Sequence, residues 1–346
     1  MISINKNKIP NYLQNSEYYK NIQSDDSFEI SKEHYKQNII ITTFEDLINY
    51  IRILDFWLVN DIPDEFYDWV FKNKDKINMN ILNEHFTNNH LIDEIQFIIN
   101  TKNKDICYKV AKEGNLNLLK YVHKNIPNCK WKSYICNIAA EFGHLECLKY
   151  AYENGCKLGD TREISAVYGH LDCLKYAYEN GGEWYYYNEY CSPAFNGHLD
   201  CLKYLIENNC PLHPNICNEA AELGHLDCLK YAHENGYEWN EKTCSISAEN
   251  GHLNCLRYAH ENECKWNKRT CLFAASNGHL ECLKYARENG CEWDIFTCLN
   301  AALGGHLDCL KYAHENGCAW DERICQYASK AGHLECLKYA RENGCP

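Results

Sequence analysis

Eight histidines stand three residues before a cysteine: His144/Cys147, His170/Cys173, His198/Cys201, His225/Cys228, His252/Cys255, His279/Cys282, His306/Cys309 and His333/Cys336. On a helix that spacing puts imidazole and thiol on one face, and both are zinc ligands by type. A tetrahedral site needs four converging ligands, however, and each pair offers two. The pair also occupies one fixed place in a longer stretch, GHLECLKYARENGCEW at Gly278 to Trp293, that recurs along the chain. A ligand set repeated in every copy reads as a structural device, its histidine bonding backbone between copies. No metal and no cofactor is expected.

The remaining chemistry-bearing residues fall into the same columns. The chain has 23 cysteines, none before Cys107. One column lies in the second helix of each copy, with the His-x-x-Cys cysteines. A second lies in the first helix (Cys107, Cys136, Cys191, Cys217, Cys244, Cys271, Cys298, Cys325). A third follows the second helix (Cys156, Cys210, Cys264, Cys291, Cys318, Cys345, with Cys129 displaced). Buried free cysteine behaves as a small hydrophobe, so the helix columns read as inert core. Of the three columns, the third is the one whose loop position would favour an exposed, reactive thiol. A tyrosine column (Tyr150, Tyr176, Tyr204, Tyr231, Tyr258, Tyr285, Tyr312, Tyr339) could stack bases, but packing between copies is the simpler use. The net charge of −13 argues against a general phosphate-binding role, so no nucleic acid partner is expected. There is no G-x-S-x-G, phosphate loop or H-E-x-x-H, and no carboxylate pair outside a repeated solvent face. The chain therefore reads as non-enzymatic.

The elements that carry these columns come from the period. Nine copies begin at Gly114, Gly143, Gly169, Gly197, Gly224, Gly251, Gly278, Gly305 and Gly332, and from Gly224 on the spacing is 27 (224, 251, 278, 305, 332). A short fixed period is the signature of a solenoid. Asp294 is expected to cap a first helix, IFTCLNAAL, whose Cys298, Ala301 and Ala302 form a small-residue stripe. Gly304-Gly305 ends it. A second helix, HLDCLKYAHEN, carries Leu307, Leu310 and Ala313, with Cys309 and Tyr312 beside them, and stops at Gly317. The tryptophans Trp184, Trp239, Trp266, Trp293 and Trp320 fall in the connections and are expected to pack across the seams.

The array is expected to span residues 80–346, about nine clear units after one degenerate unit at 81–100, where Asn89-His90-Leu91 stands for Gly-His-Leu. Residues 1–79 form a different region: ISIN (2–5), FEI (28–30) and NIIIT (38–42) read as strands, while 12–22, a segment from Phe44 capped by Thr43, and DEFYDWVFKN after Pro63 read as helices. No run approaches a membrane span of ~20 apolar residues, and the first residues lack the apolar core of a secretory signal. These features point to no membrane partner and to a reducing cytoplasmic or nuclear setting.

The pattern A-A-x-x-G-H-L-x-C-L-K-Y-A-x-E-N-G resembles the ankyrin repeat: Ala274-Ala275, Gly278-His279, Leu280, Leu283 and Gly290 match, with Thr270 and Cys271 in the columns of its proline and leucine. The period departs from the ankyrin value of about 33; the roughly six missing residues fall where ankyrins build a β-hairpin finger. Such finger-less arrays are similar to those of large DNA viruses of amoebae and of protists, which would imply a host-cell cytoplasm. The N-terminal region resembles the BTB/POZ fold, without the strand usual after its FEDLINYI-type helix, and that resemblance implies docking to a cullin-type ubiquitin ligase or dimerisation.

The fold class is thus an all-α repeat solenoid of ankyrin-like helix pairs with a small N-terminal region open to α+β. The expected function is a protein-interaction scaffold, with a ubiquitin-ligase substrate adaptor as the alternative. The partner-binding residues are those that differ between copies: Glu241, Lys242, Lys268, Arg269, Ile295, Phe296, Glu322 and Arg323 in the turns, and Glu249, Ser276, Leu303 and Lys330 in the first helices. The unit at 332–346 has no polar cap, so self-association through it is a further expectation.

Overall fold

Four residue types set the boundaries of every repeat. The computed structural model describes residues 2–5, 27–30, 47–48, 51, 62, 64–85, 90–100, 106–126, 134–182 and 192–345. By compactness the chain divides into Met1–Ile135 and Cys136–Pro346, so residue 79 falls inside the first unit.

In the first unit, strands β1 (Ile2–Asn5) and β2 (Ser27–Ile30) pair antiparallel, Ile2 opposite Ile30. The helices are α1 (Asp64–Asn73), α2 (Met79–His85), α3 (His90–Asn100), α4 (Ile106–Glu113) and α5 (Leu116–Asn125). Phe66, Tyr67 and Val70 bury one side of α1, which packs on α3 and α5. Tyr67 donates to Glu94 Oε2 at 2.9 Å, Tyr121 donates to Asp68, and Lys124 pairs with Asp64 at 2.7 Å. Leu47, Ile48 and Ile51 are helical or buried as their spacing predicts. The segments expected at 12–22 and 38–42 lie outside the described residues. All the described elements of the second unit are helices, so the mixed α and β character is confined to the first.

The second unit runs α6 (Tyr134–Glu141), α7 (Leu145–Glu153), α8 (Thr161–Val167), α9 (Leu171–Glu179), α10 (Leu199–Glu207), α11 (Ile216–Glu222), α12 (Leu226–Glu234), α13 (Glu241–Glu249), α14 (Leu253–Glu261), α15 (Lys268–Ser276), α16 (Leu280–Glu288), α17 (Ile295–Gly304), α18 (Leu307–Glu315), α19 (Glu322–Ala331) and α20 (Leu334–Glu342). First helices start where Asn240, Asn267, Asp294 and Asp321 accept the amide two residues on, satisfying a donor that the helix leaves open. They stop at a glycine of positive φ, such as Gly305 at 77°. Second helices stop where an asparagine folds back, as Asn289 Nδ2 does on Tyr285 O at 2.8 Å.

First helices pack side by side, α13 on α15, α15 on α17 and α17 on α19. Their contact faces are small: Thr270, Cys271, Ala274 and Ala275, or Thr297, Cys298, Ala301 and Ala302, all fully buried. The second helices bury Cys282, Leu283 and Ala286, or Cys309, Leu310 and Ala313. This corrects the expected stripe, because Leu307 is only half-buried while Cys309 takes a central place. A polar rung crosses some seams: Thr161 Oγ1 donates to Asn137 Oδ1 at 2.8 Å and Thr243 Oγ1 to Asn218 Oδ1 at 2.6 Å.

The turn glycine and the next repeat's histidine form the register lock. A Cβ on Gly251 would come within 2.5 Å of His279 Nδ1, and the same ring position recurs at every described turn from Gly143 to Gly305. In His170 and His252 the far ring nitrogen, Nε2, lies 3.0 and 3.1 Å from the carbonyls of Glu141 and Glu222 in the preceding repeat. The histidine therefore bonds backbone between units, as its recurrence suggests. The seam is closed on the other side by aromatics. His233, His260 and His314 stack on Trp239, Trp266 and Trp320 at 3.5–3.7 Å, and meet the hydroxyls of Tyr258, Tyr285 and Tyr339 from the following repeat.

Two predictions follow from the lock. Alanine at Gly290 (φ 87°), with no atom near its Cβ, should cost about 1–2 kcal/mol of left-handed strain alone. Alanine at Gly251 (φ 76°) meets the same strain and the His279 ring, so urea denaturation should show a loss larger by about 1–3 kcal/mol. Burial holds His198 and His260 below the ordinary histidine range, with His170 and His225 adding to the effect at His198. A depressed folded pKa means that protonation favours the unfolded chain. Their contribution is complete above the ordinary value of about 6.5 and is lost as pH falls through the folded values. The urea midpoint should drop between about pH 7.5 and pH 5.

Candidate partner-binding face

Along one first helix, the variable positions of the sequence fall at i and i+7. Lys242 and Glu249, Arg269 and Ser276, Phe296 and Leu303, Arg323 and Lys330 are such pairs. Residues at i, i+4 and i+7 share a helix face, so a third residue must lie between them. It is Ile246, Phe273, Asn300 or Tyr327. The complete stripes read Lys-Ile-Glu on α13, Arg-Phe-Ser on α15, Phe-Asn-Leu on α17 and Arg-Tyr-Lys on α19. These four helices are packed neighbours, so the stripes lie next to one another as one surface.

The middle column was missed in the sequence reading, which took the turns and the helix ends. Its signal was available: at a spacing of 27 the column reads Glu219, Ile246, Phe273, Asn300, Tyr327, five residue types in five copies. Exposure grows along it. Glu219 and Ile246 are buried, Phe273 and Asn300 half-buried, and Tyr327 is 37% exposed. Phe296 (45%) and Leu303 (41%) stand out further, so an apolar band crosses α15, α17 and α19.

Charges frame this band. Glu241, Lys242, Lys268, Arg269 and Glu322 are exposed at the turn tips, and Ile295 and Arg323 are half-buried there. Lys330 is exposed at the far end, where Glu249 and Ser276 are half-buried. Adjacent tips touch, since Lys268 Nζ lies 2.8 Å from Asp294 Oδ2 of the next tip. Arg323 grips Asp321 with Nε and Nη2 at 2.8–3.1 Å, and that grip holds the Asp321 carboxyl below its usual range. Asp294 and Asp321 thus do two things, capping a helix and fixing a basic side chain at the tip.

The other sequence candidates are dispersed into the scaffold. His279 faces the Gly251 turn while Cys282 is buried in the core, its thiol pushed up to about 11 by burial and by Glu281. Among the described residues no three or more His, Cys, Asp and Glu side chains converge to hold a metal, and no helix is long and apolar enough to cross a membrane. The third cysteine column is corrected. Cys264, Cys291 and Cys318 are buried at 4%, 1% and 4% exposure, because the chain folds back after each second helix and lays them on the preceding connection.

Replacing Asp294 with alanine should cost about 0.5–2 kcal/mol through the lost cap. Replacing Lys268 with alanine should change stability by less than about 1 kcal/mol, since its ion pair is solvent-exposed. Chemical denaturation of the two variants checks the difference.

A family model described as ankyrin repeats matches residues 217–297 as three copies. No curated protein matches the chain. The matched residues include the turn glycines Gly224, Gly251 and Gly278 and the helices α12 to α16. Over residues 217–297 the chain is thus similar to ankyrin repeats.

Proposed function

We propose that the chain is a non-enzymatic scaffold that binds a protein partner across the stripes of α13, α15, α17 and α19. Ankyrin repeats are in general protein–protein interaction modules. The observation that carries the reading is the apolar band of Phe273, Phe296, Leu303 and Tyr327, bordered by Arg269, Arg323 and Lys330. Aromatic and arginine side chains are the types that anchor interfaces, and a polar rim around them excludes water from the contact. The surrounding scaffold largely repeats from copy to copy, so selectivity would reside in the stripes.

The adaptor reading is a second use of the same array. It is supported by the β1–β2 ladder followed by helix α1, which makes the N-terminal region more than a continuation of the helical stack. In that reading the stripes hold the substrate and the N-terminal region docks the ligase component.

Affinity capture with the full chain tests the proposal. A triple variant, Phe296→Ala, Leu303→Ala and Tyr327→Ala, should retain helicity and lose the captured partner. A matching change on the second helices, Lys284→Ala with Lys311→Ala, should keep it. Equal capture by the stripe variant and the unmutated chain would overturn the assignment.

A further inference from the structure

Among the described residues, cysteine columns one and three meet within a repeat wherever both keep cysteine, at Cys136/Cys156 and Cys325/Cys345 as well as in three central pairs. Cys244 and Cys264, Cys271 and Cys291, and Cys298 and Cys318 are each 20 residues apart, one in the first helix and one just past the second. Cys244 Sγ lies 3.9 Å from Cys264 O and Cys271 Sγ 4.0 Å from Cys291 O. Within each of the three pairs the two thiols shift one another's acidity. Cys264, Cys291 and Cys318 also reach the carbonyls of Asn240, Asn267 and Asp294 at 3.2–3.3 Å. These six thiols are free, and each pair is enclosed in its own repeat. One cysteine of column one is already oxidised. Cys107 stands in column one, seven residues before its turn glycine as Cys244 is before Gly251, and it is disulfide-bonded. That bond also departs from the expectation that every thiol is reduced.

We propose that each pair is a reversible redox site that a low-molecular-weight disulfide closes into a bond within the repeat, joining the first helix to the connection behind the second. The chemistry balances as two exchanges. The Cys264 thiolate attacks one sulfur of the small disulfide, forming a mixed disulfide and expelling one small thiolate. Cys244 then loses its proton and attacks the Cys264 sulfur, expelling the second. Two protein thiols are oxidised, one small disulfide is reduced to two thiols, and two electrons pass between them. The pair is asymmetric in the sense this needs. The neighbouring Cys244 thiol favours the Cys264 thiolate and holds it below its usual range, while the same contact holds the Cys244 thiol up. The other two pairs repeat that polarity. Access is gained by opening the connection, where Glu261, Asn262, Glu263 and Lys265 around Cys264 are already exposed.

Among the repeats described at both columns, two lack the pair and serve as internal controls. Arg162 and Gly182 occupy the two columns in one, and Cys217 faces Tyr237 in the other. The test is to incubate the full chain with oxidised glutathione under native conditions, block free thiols, and map linked peptides by mass spectrometry without reduction. The expected links are Cys244–Cys264, Cys271–Cys291 and Cys298–Cys318, reversed by a small thiol, with Cys217 left free. Cys264→Ser should remove only the first link, and persistence of the other two in the same molecule shows that the variant is folded. Links scattered between repeats, or none until urea unfolds the chain, would overturn the proposal and leave the thiols as core packing.

Discussion

The array depends on a histidine ring held in a slot that only glycine can leave open. His279 does three jobs at once. Its amide donates to Ala274 O at 2.8 Å, closing the first helix. Its carbonyl accepts from Leu283 at 3.0 Å, opening the second. Its ring lies on Gly251 of the preceding repeat. A solenoid has no contacts between distant parts of the chain, so each repeat must recognise the next by short-range geometry. The slot does that by shape and the ring-to-carbonyl bond by direction.

With register fixed at the turn, the first helices can be made of small residues. Thr270, Cys271, Ala274 and Ala275 bring α15 close to its neighbours, and the outer side of the helix is left without a structural duty. The shortened repeat sharpens this. With about six residues fewer than the ankyrin period, the tips end in a cap residue and two variable positions. Lys268 then reaches Asp294 of the next tip directly.

The parts of the fold that rest on local chemistry were legible in the sequence. The caps at Asp294 and Gly305, the strands at 2–5 and 28–30 and the helix after Pro63 each depend on a few adjacent residues. The repeat period then placed every copy at once. What could not be read locally was exposure. Cys291 follows a helix-ending Gly290 and looks like a loop residue, yet the Asn267 carbonyl of the preceding connection covers its thiol. Leu307 has the spacing of a core residue, yet it is half-buried while Cys309 is buried. The middle column of the stripe was hidden for the opposite reason. Ile246 and Glu219 are buried in the copies where the surface is tightest, and only Phe273, Asn300 and Tyr327 open outward.

The repeats that break the columns explain the ones that keep them. Where column one carries Arg162, column three carries Gly182, and the guanidinium extends to within 2.8 Å of Cys210 Sγ in the following repeat while lying 4.4 Å over Tyr178. Where column three carries Tyr237, column one keeps the small Cys217, whose Sγ contacts Tyr237 O at 3.5 Å. Large meets small in both cases, and two cysteines meet in the described repeats from Cys136/Cys156 to Cys325/Cys345 that carry both. Close-packed interiors tolerate exchanges that conserve volume and resist those that do not. The two columns therefore behave as a single contact within one repeat. That coupling is set by packing, before any oxidation, and it is what keeps each thiol opposite its own partner when a neighbouring repeat offers another cysteine in the next copy of the same column.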